Sequence, residues 1–287
     1  EYTSDFTYVK GQAAAKRALE IAAAGGHNVL LVGPPGAGKS MLAKRLPGIL
    51  PAMTWDEALE TTNIYSVGGL LPEDLPLMVE RPFRAPHHTA TLPAMAGGGS
   101  QASPGEVTLA HNGVLFLDET PYFARPVLEA LRQPLEDRCI TIARNRTTVT
   151  YPGNIQLVGA MNPCPCGHLG SRTQQCRCTP MQIRRYLNRI SGPLLDRIDI
   201  QVEIVPVPFE KISSTQPTEP SSAIRERVMR ARELQAIRFA QEPGVYCNAQ
   251  MNTRMLNRYA VPDKQGLQRL KVAMERFNLS ARAYDRI

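Results

Sequence analysis

Up to residue 204, short apolar runs of β type alternate with stretches of helical pattern; beyond residue 222 only the helical pattern remains. Residues 28–32 (NVLLV), 114–119 (VLFLDE) and 155–161 (IQLVGAM) read as short buried strands. Residues 205–222 (VPVPFEKISSTQPTEPSS) are rich in Pro, Ser and Thr and read as a linker. In the helical part, Ile224, Val228, Ala231 and Leu234 recur at spacings of four and three, which predicts one buried face of a helix capped by Ser221 and Ser222. A second helix is predicted over residues 267–277 (LQRLKVAMERF). The predicted layout is an α/β core over residues 1–208, a linker over 209–222 and a small α-helical domain over 223–287.

Composition adds bounds. The chain has 287 residues, enough for one large domain and a small one. Its 43% hydrophobic and 21% charged content is that of an ordinary globular protein. The net charge of +7 is compatible with an anionic partner and does not demand one. No apolar run reaches ~18 residues, so no membrane span is expected. The opening residues, EYTSDFTYVKGQ, lack the apolar core of a signal peptide, so a reducing cytoplasm is expected and lasting disulfides are not. No internal repeat or heptad run is present.

The strongest chemical signal is Gly33-Pro34-Pro35-Gly36-Ala37-Gly38-Lys39-Ser40, which fits GxxxxGK[ST] between a predicted strand and a predicted helix. Its glycines let backbone N–H groups turn inward around phosphate oxygens, and a helix start adds partial positive charge. Lys39 is expected to reach the β- and γ-phosphates of ATP and Ser40 to ligate Mg²⁺. VLFLDE supplies the acidic partner, with carboxylates at the strand's C-terminal end, where parallel sheets present their ligands. Asp118 is expected in the Mg²⁺ shell, and Glu119 is expected to polarise the attacking water.

Four of six cysteines stand as CxC, nine residues, CxC in 164–178: Cys164, Cys166, Cys176 and Cys178. They can satisfy tetrahedral Zn²⁺. CxC is less usual than CxxC at such sites, and His168 can replace one ligand, so structural zinc and four reduced thiols both stay open. Cys139 and Cys247 read as small apolar residues. His87 and His88 have no partner ligand at usable spacing, which favours a structural or substrate-contact role over catalysis.

The motifs VKGQ (9–12), GGHNVLLVGPPGAGKS (25–40), RPFRAPHHT (81–89), GEVTLAHNGVLFLDE (105–119), AMNPCPCG (160–167), SGPLLDRID (191–199), NAQMN (248–252) and NLSARAYDRI (278–287) continue in a recognisable order. Through them the chain resembles the magnesium-chelatase-like AAA+ ATPases of the ComM/YifB family, over nearly its whole length. Thr120 departs from the leucine usual after Asp-Glu. The resemblance implies a P-loop three-layer core with a mainly parallel sheet. It also implies a helix-2 insertion at about 61–112, a pre-sensor-1 hairpin at about 138–151 and a helical lid over 223–287. Family members carry a further N-terminal domain, and the lid is expected to continue past residue 287, so the sequence reads as a fragment.

The same resemblance implies roles. Asn162 matches sensor 1, which helps place the lytic water; a chain-turning Asn is the alternative. Arg197 matches the arginine finger, acting on a neighbour's ATP, against a salt bridge to Asp196 or Asp199. Arg282 matches sensor 2, expected to act across the interface, against an ordinary helix-surface Arg. Val9 and Gln12 stand where family members approach the adenine, a core-plus-turn reading being as good. Arg144 and Arg146 occupy the tip between the β-like runs CITIA and TTVTY, where the hairpin would point into a ring's channel and touch DNA, or simply be solvated. The implied function is a ring-forming, hexameric, ATP-hydrolysing motor. It would remodel DNA by branch migration or helicase-like action in natural transformation and recombination. The alternatives are a chelatase-type ATPase remodelling a protein partner and a weakly hydrolysing nucleotide-gated scaffold.

Overall fold

The computed structural model describes residues 4–98, 103–143 and 148–287. Its strands are β1 (Val29–Val32), β2 (Phe83–Arg84), β3 (Gly97–Gly98), β4 (Ser103–Pro104), β5 (Val114–Leu117), β6 (Cys139–Ala143), β7 (Thr148–Pro152), β8 (Gln156–Met161) and β9 (Ile200–Glu203). The main sheet runs β2-β5-β8-β1-β9, with every neighbouring pair parallel. All its strands therefore end on one edge, which is where the functional loops collect.

The three central strands divide their side chains by parity. Val29 and Leu31, Val114 and Phe116, and Val158 and Ala160 join one core layer with Leu19, Leu42, Leu46 and Ile49. Leu30, Leu115, Leu117, Leu157 and Met161 join the other, with Val107, Val127, Leu128, Leu131 and Ile190. Burial on both faces explains why the runs are continuously apolar rather than alternating. Each fully buried Leu or Val contributes about 1.5–3 kcal/mol, so β1, β5 and β8 make a stiff platform.

The stretch 61–112, expected as an insertion, also contributes β2, the edge strand of the main sheet, where Phe83 stacks on Phe116 at 6.0 Å. The predicted hairpin is present as antiparallel β6 and β7; Arg144 and Arg146 lie outside the described residues.

Past the core, the Ser221–Arg238 helix packs on the Ala13–Gly25 helix through Arg227 to Glu20 (2.6 Å) and Gln235 Nε2 to the Ala24 carbonyl (2.8 Å). Its buried face is Ile224, Val228 and Gln235, while Leu234 is 65% exposed. The expected stripe is thus rotated at its C-terminal end, because the Ala24 carbonyl gives the Gln235 amide a partner inside. Ser221 and Ser222 do not cap this helix; Pro220 holds the cap position. Asp5 accepts the Ser221 N–H (3.2 Å), and the Ser221 hydroxyl accepts the Phe6 N–H (2.9 Å), so the chain's start supplies the cap. The expected linker contains a helical turn, Phe209–Ile212. The predicted second helix lies within Lys264–Phe277, between Thr253–Tyr259 and Ala281–Arg286. No helix among the described residues is long and apolar enough to cross a membrane.

Candidate functional site

Residues 33–40 follow β1, Asp118 and Glu119 follow β5, and Asn162 follows β8. Because β8 lies between β5 and β1, Asn162 sits between the glycine loop and the acidic pair. The Gly33 N–H continues the ladder to the Met161 carbonyl at 3.1 Å. A Cβ on Gly33 would stand 2.5 Å from the Ile204 carbonyl oxygen, so no larger residue fits without movement. Gly36 (φ 75°) and Gly38 (φ 94°) are left-handed, the conformation that turns successive N–H groups to one side.

Lys39 is 8% exposed. Its ammonium donates to the Gly33 carbonyl (2.7 Å), the Pro34 carbonyl (2.9 Å) and Asn162 Oδ1 (3.1 Å). Burial pulls it below the usual lysine range, and the Asp118 carboxylate opposes that. Ser40 Oγ donates to Asp118 Oδ2 at 2.8 Å, which brings the two expected Mg²⁺ ligands side by side. Gln12 Nε2 donates to the carbonyls of Ala37 (3.1 Å) and Val205 (2.9 Å), so this side chain braces the loop. Val9 is fully buried in the core, and its carbonyl accepts Lys16 Nζ; its side chain reads as core.

Glu119 is held in a left-handed backbone (φ 51°, ψ 45°), uncommon for a residue with a side chain. Asp118 Oδ1 accepts its N–H at 2.9 Å. Thr120, 2% exposed, donates its hydroxyl to the carbonyls of Leu117 (2.8 Å) and Ala160 (3.2 Å). The departure from leucine noted above therefore ties β5 to β8 beneath the turn that carries Glu119. The Glu119 carboxylate is more than half exposed, and its Oε2 lies 3.3 Å from His88 Nδ1. His88 thus has an acidic partner that sequence spacing did not reveal. Tyr186 OH donates to the Asn162 carbonyl (3.1 Å) from a helix, Pro180–Leu187, that Thr179 and Gln182 start with a capping box.

Arg197 and Arg282 lie elsewhere. Asn28 Nδ2 donates to the Arg197 carbonyl at 3.0 Å, which fixes Arg197 where β1 begins, and the glycine loop starts where β1 ends. The intervening chain spans about 16 Å, beyond an arginine's reach. Arg197 pairs with Glu136 through Nε (3.1 Å) and Nη2, and Nη1 donates to the Pro193 carbonyl (2.6 Å). Arg282 Nη1 lies 3.6 Å from Glu136 Oε1, and its buried Nε has no hydrogen-bond partner. The expected alternative for Arg197, a bridge to Asp196 or Asp199, is replaced by Glu136. Hydrogen bonding to Arg197, and the charges of both arginines, hold Glu136 below the usual carboxylate range. The two arginines line a cleft of about 350 Å³ with Glu136, Asp199 and Arg286.

The four cysteines of residues 164–178 come together, with sulfur–sulfur distances of 3.4 Å (Cys164–Cys166), 3.7 Å (Cys166–Cys176) and 3.8 Å (Cys164–Cys176). All four sulfurs, Cys178 included, lie within 4.8 Å of one another. His168 is not part of this group. Sequence reading also missed a cleft of about 850 Å³ lined by Tyr122, Arg125, Arg184, Arg185 and Arg189. The run RRYLNR was its only signal, and nothing in a helix pattern says that Arg189 stacks on Tyr122 at 5.6 Å.

Two family models match successive stretches of the chain. The family described as magnesium chelatase, subunit ChlI, matches residues 5–212, and its C-terminal counterpart matches residues 218–287. Competence protein ComM of Haemophilus influenzae is 47% identical over 288 residues, 99% of this chain and 55% of the relative. The uncharacterized protein YifB of Salmonella typhimurium is 46% identical over 289 residues, and that of Escherichia coli 45% over 284, each across 99% of this chain. The chain spans about half the length of these relatives, 54–55%.

Proposed function

The chain belongs to the magnesium-chelatase-like family of AAA+ ATPases, and on that premise we propose that it hydrolyses ATP at sites completed between neighbouring subunits of a six-membered ring. One observation carries this reading. Lys39, Ser40, Asp118, Glu119 and Asn162 gather at one edge of a parallel sheet, while Arg197 meets Arg282 at the other.

The residues 33–40 offer backbone N–H groups to the β- and γ-phosphates. Lys39 exchanges its carbonyl acceptors for phosphate oxygens, a stronger charge-assisted bond. The oxygens of Ser40 and Asp118, 2.8 Å apart, suit Mg²⁺, which when bound neutralises charge between the phosphates. Glu119 accepts a hydrogen bond from the attacking water and orients it; Asn162 steadies the same water from the next strand. His88 holds the Glu119 carboxylate until the water competes for it. Arg197 and Arg282 leave Glu136 for the neighbour's γ-phosphate, where a planar guanidinium matches spread charge.

The substrate we assign is DNA. Support comes from a net charge of +7, from a relative named competence protein ComM, and from the β6–β7 hairpin with Arg144 and Arg146 in its connection. Two arginines per subunit would line a channel and track phosphates without reading bases. The test is ATP turnover with and without branched DNA, beside anisotropy of labelled DNA over a salt series for Arg144→Ala/Arg146→Ala. Stimulated turnover in the unmodified chain and a flatter salt slope in the variant are expected. An unstimulated rate and an unchanged slope would favour a protein-remodelling ATPase, the reading that the magnesium chelatase description of the family supports. Nucleotide binding with negligible turnover would favour a scaffold.

A further inference from the structure

We propose that Cys164, Cys166, Cys176 and Cys178 hold one Zn²⁺ as a tetrathiolate, and that this metal fastens residues 163–178 against the phosphate loop. The second half rests on the assignment of residues 33–40 to nucleotide; the first does not.

Four sulfurs around one zinc at about 2.3 Å stand about 3.8 Å apart at the edges of a tetrahedron. The separations among Cys164, Cys166 and Cys176, 3.4, 3.7 and 3.8 Å, have that size. A disulfide brings sulfurs to about 2.05 Å, and all four cysteines are free. An iron–sulfur cluster spreads its cysteines over separate irons, which a group this tight cannot do. Soft thiolates also exclude the Mg²⁺ expected next door.

The loop needs such a fastener. Residues 167–178 contain no helix or strand, and Leu169 is 42% exposed. Apart from the thiols, the loop's own bonds are local: Gly167 N–H to the Cys164 carbonyl, Ser171 N–H to the His168 carbonyl, and turns around the Ser171 hydroxyl. A polar segment without a core does not bring four thiols together for packing alone. Cys164 is fully buried and anchors the group to the protein, while the other three are partly exposed.

The contact with the phosphate loop is close. Cys164 stands two residues after Asn162. Gly167 (φ 82°) approaches Pro35 so tightly that a Cβ there would lie 2.6 Å from Pro35 Cδ. The loop also walls a cleft of about 810 Å³ bordered by Gly33, Pro34, Gly170 and Arg172. A closed metal site therefore holds one flank of the residues that would meet ATP.

The experiment is elemental analysis of the purified full chain, titration with a mercurial while released zinc is followed with a metal-sensitive dye, and a fluorescent ATP analogue to read affinity. Expected are one zinc per chain, four equivalents of mercurial taken up by thiols as the metal is released, and about a tenfold loss of nucleotide affinity on release. Cobalt exchange should give the visible bands of a tetrahedral tetrathiolate. Cys176→Ser should lower zinc content, and Cys139→Ser, outside the group, should keep it; if Cys176→Ser does not fold, the mercurial titration reads the same quantity on the unmodified chain. Absence of metal with all six thiols free, or iron in place of zinc, overturns the site. Zinc release without change in nucleotide affinity overturns the fastening. A zinc-loaded chain that binds no nucleotide overturns the reading of residues 33–40 and leaves the metal site standing.

Discussion

At the C-terminal edge of the sheet, Lys39 is met by three oxygens from its own loop and the neighbouring strand end; at the N-terminal edge, Arg197 and Arg282 share the single side chain of Glu136. The first arrangement is local. Gly33, Pro34 and Lys39 lie within one turn, and Asn162 arrives by strand pairing. The second joins residues 61 apart in sequence for Arg197 and still farther for Arg282. Carbonyl acceptors position a cation without cancelling its charge, whereas a carboxylate neutralises it. On the proposed assignment, one edge would receive an anion directly, and the other would first give up a counter-ion. Glu136 titrates below its ordinary value of 4.5. A depressed carboxylate keeps its ion pairs above that value and loses them only in acid, so pH changes near neutrality do not release the arginines.

The comparison can be broken most sharply at Arg197. Arg197→Ala should lower turnover by about 10³ or more while leaving affinity for a fluorescent ATP analogue within a few-fold. Mixing it with Glu119→Gln should restore part of the activity, because hybrid interfaces combine an intact edge from each. Absence of any rescue, with assembly confirmed by mass, would place Arg197 outside the neighbour's site.

Glu119→Gln by itself should cost about 10²–10⁴ in turnover and keep nucleotide binding and assembly. Normal hydrolysis by this variant would remove the carboxylate from the chemistry and leave the C-terminal edge as a binding surface only.

Glu136→Gln preserves shape and deletes the counter-charge. If Glu136 restrains the arginines, turnover at subsaturating ATP should rise about two- to fivefold, the scale of an exposed ion pair. A fall instead would mean that Glu136 orients Arg197 for its task, and the two edges would be more alike than described.

The smallest effect is expected from Tyr186→Phe, which removes one hydrogen bond to the Asn162 carbonyl. About 0.5–1.5 kcal/mol of stability should be lost in denaturant unfolding, with little change in turnover. A larger kinetic defect would show that Asn162 depends on this support.

The contrast between the edges also marks what a reader of the sequence can see. The glycine loop, VLFLDE and the Asn162 strand are contiguous strings, and each folds with the strand that local spacing predicts. The parallel sheet follows from the same alternation of strand and helix. Glu136 and the Glu119 partner of His88 are invisible in the sequence because they are brought in from other elements: a carboxylate on one helix finds Arg197 only after the sheet closes. The Leu234 and Gln235 exchange has the same origin, since a polar side chain is buried where a foreign carbonyl meets it. The cysteine quartet falls between: spacing named the four residues, and folding supplied the sulfur separations. Thr120 looked like a small departure and proved to be a link between β5 and β8.

The parallel direction of the sheet has a consequence for how copies of the chain can meet. Its two edges are chemically different ends, like the poles of a bar. A twofold pairing sets like against like, arginine edge on arginine edge or loop on loop, and completes nothing. Only head-to-tail contact joins unlike ends, and every such contact gives and receives in one sense around the assembly. An open row of subunits then always leaves one loop without arginines and one arginine pair without a loop; closing the row removes both at once. On the proposed assignment, turnover per subunit should rise most steeply at the last addition, and a single defective junction should turn a closed circuit back into a row with two idle ends.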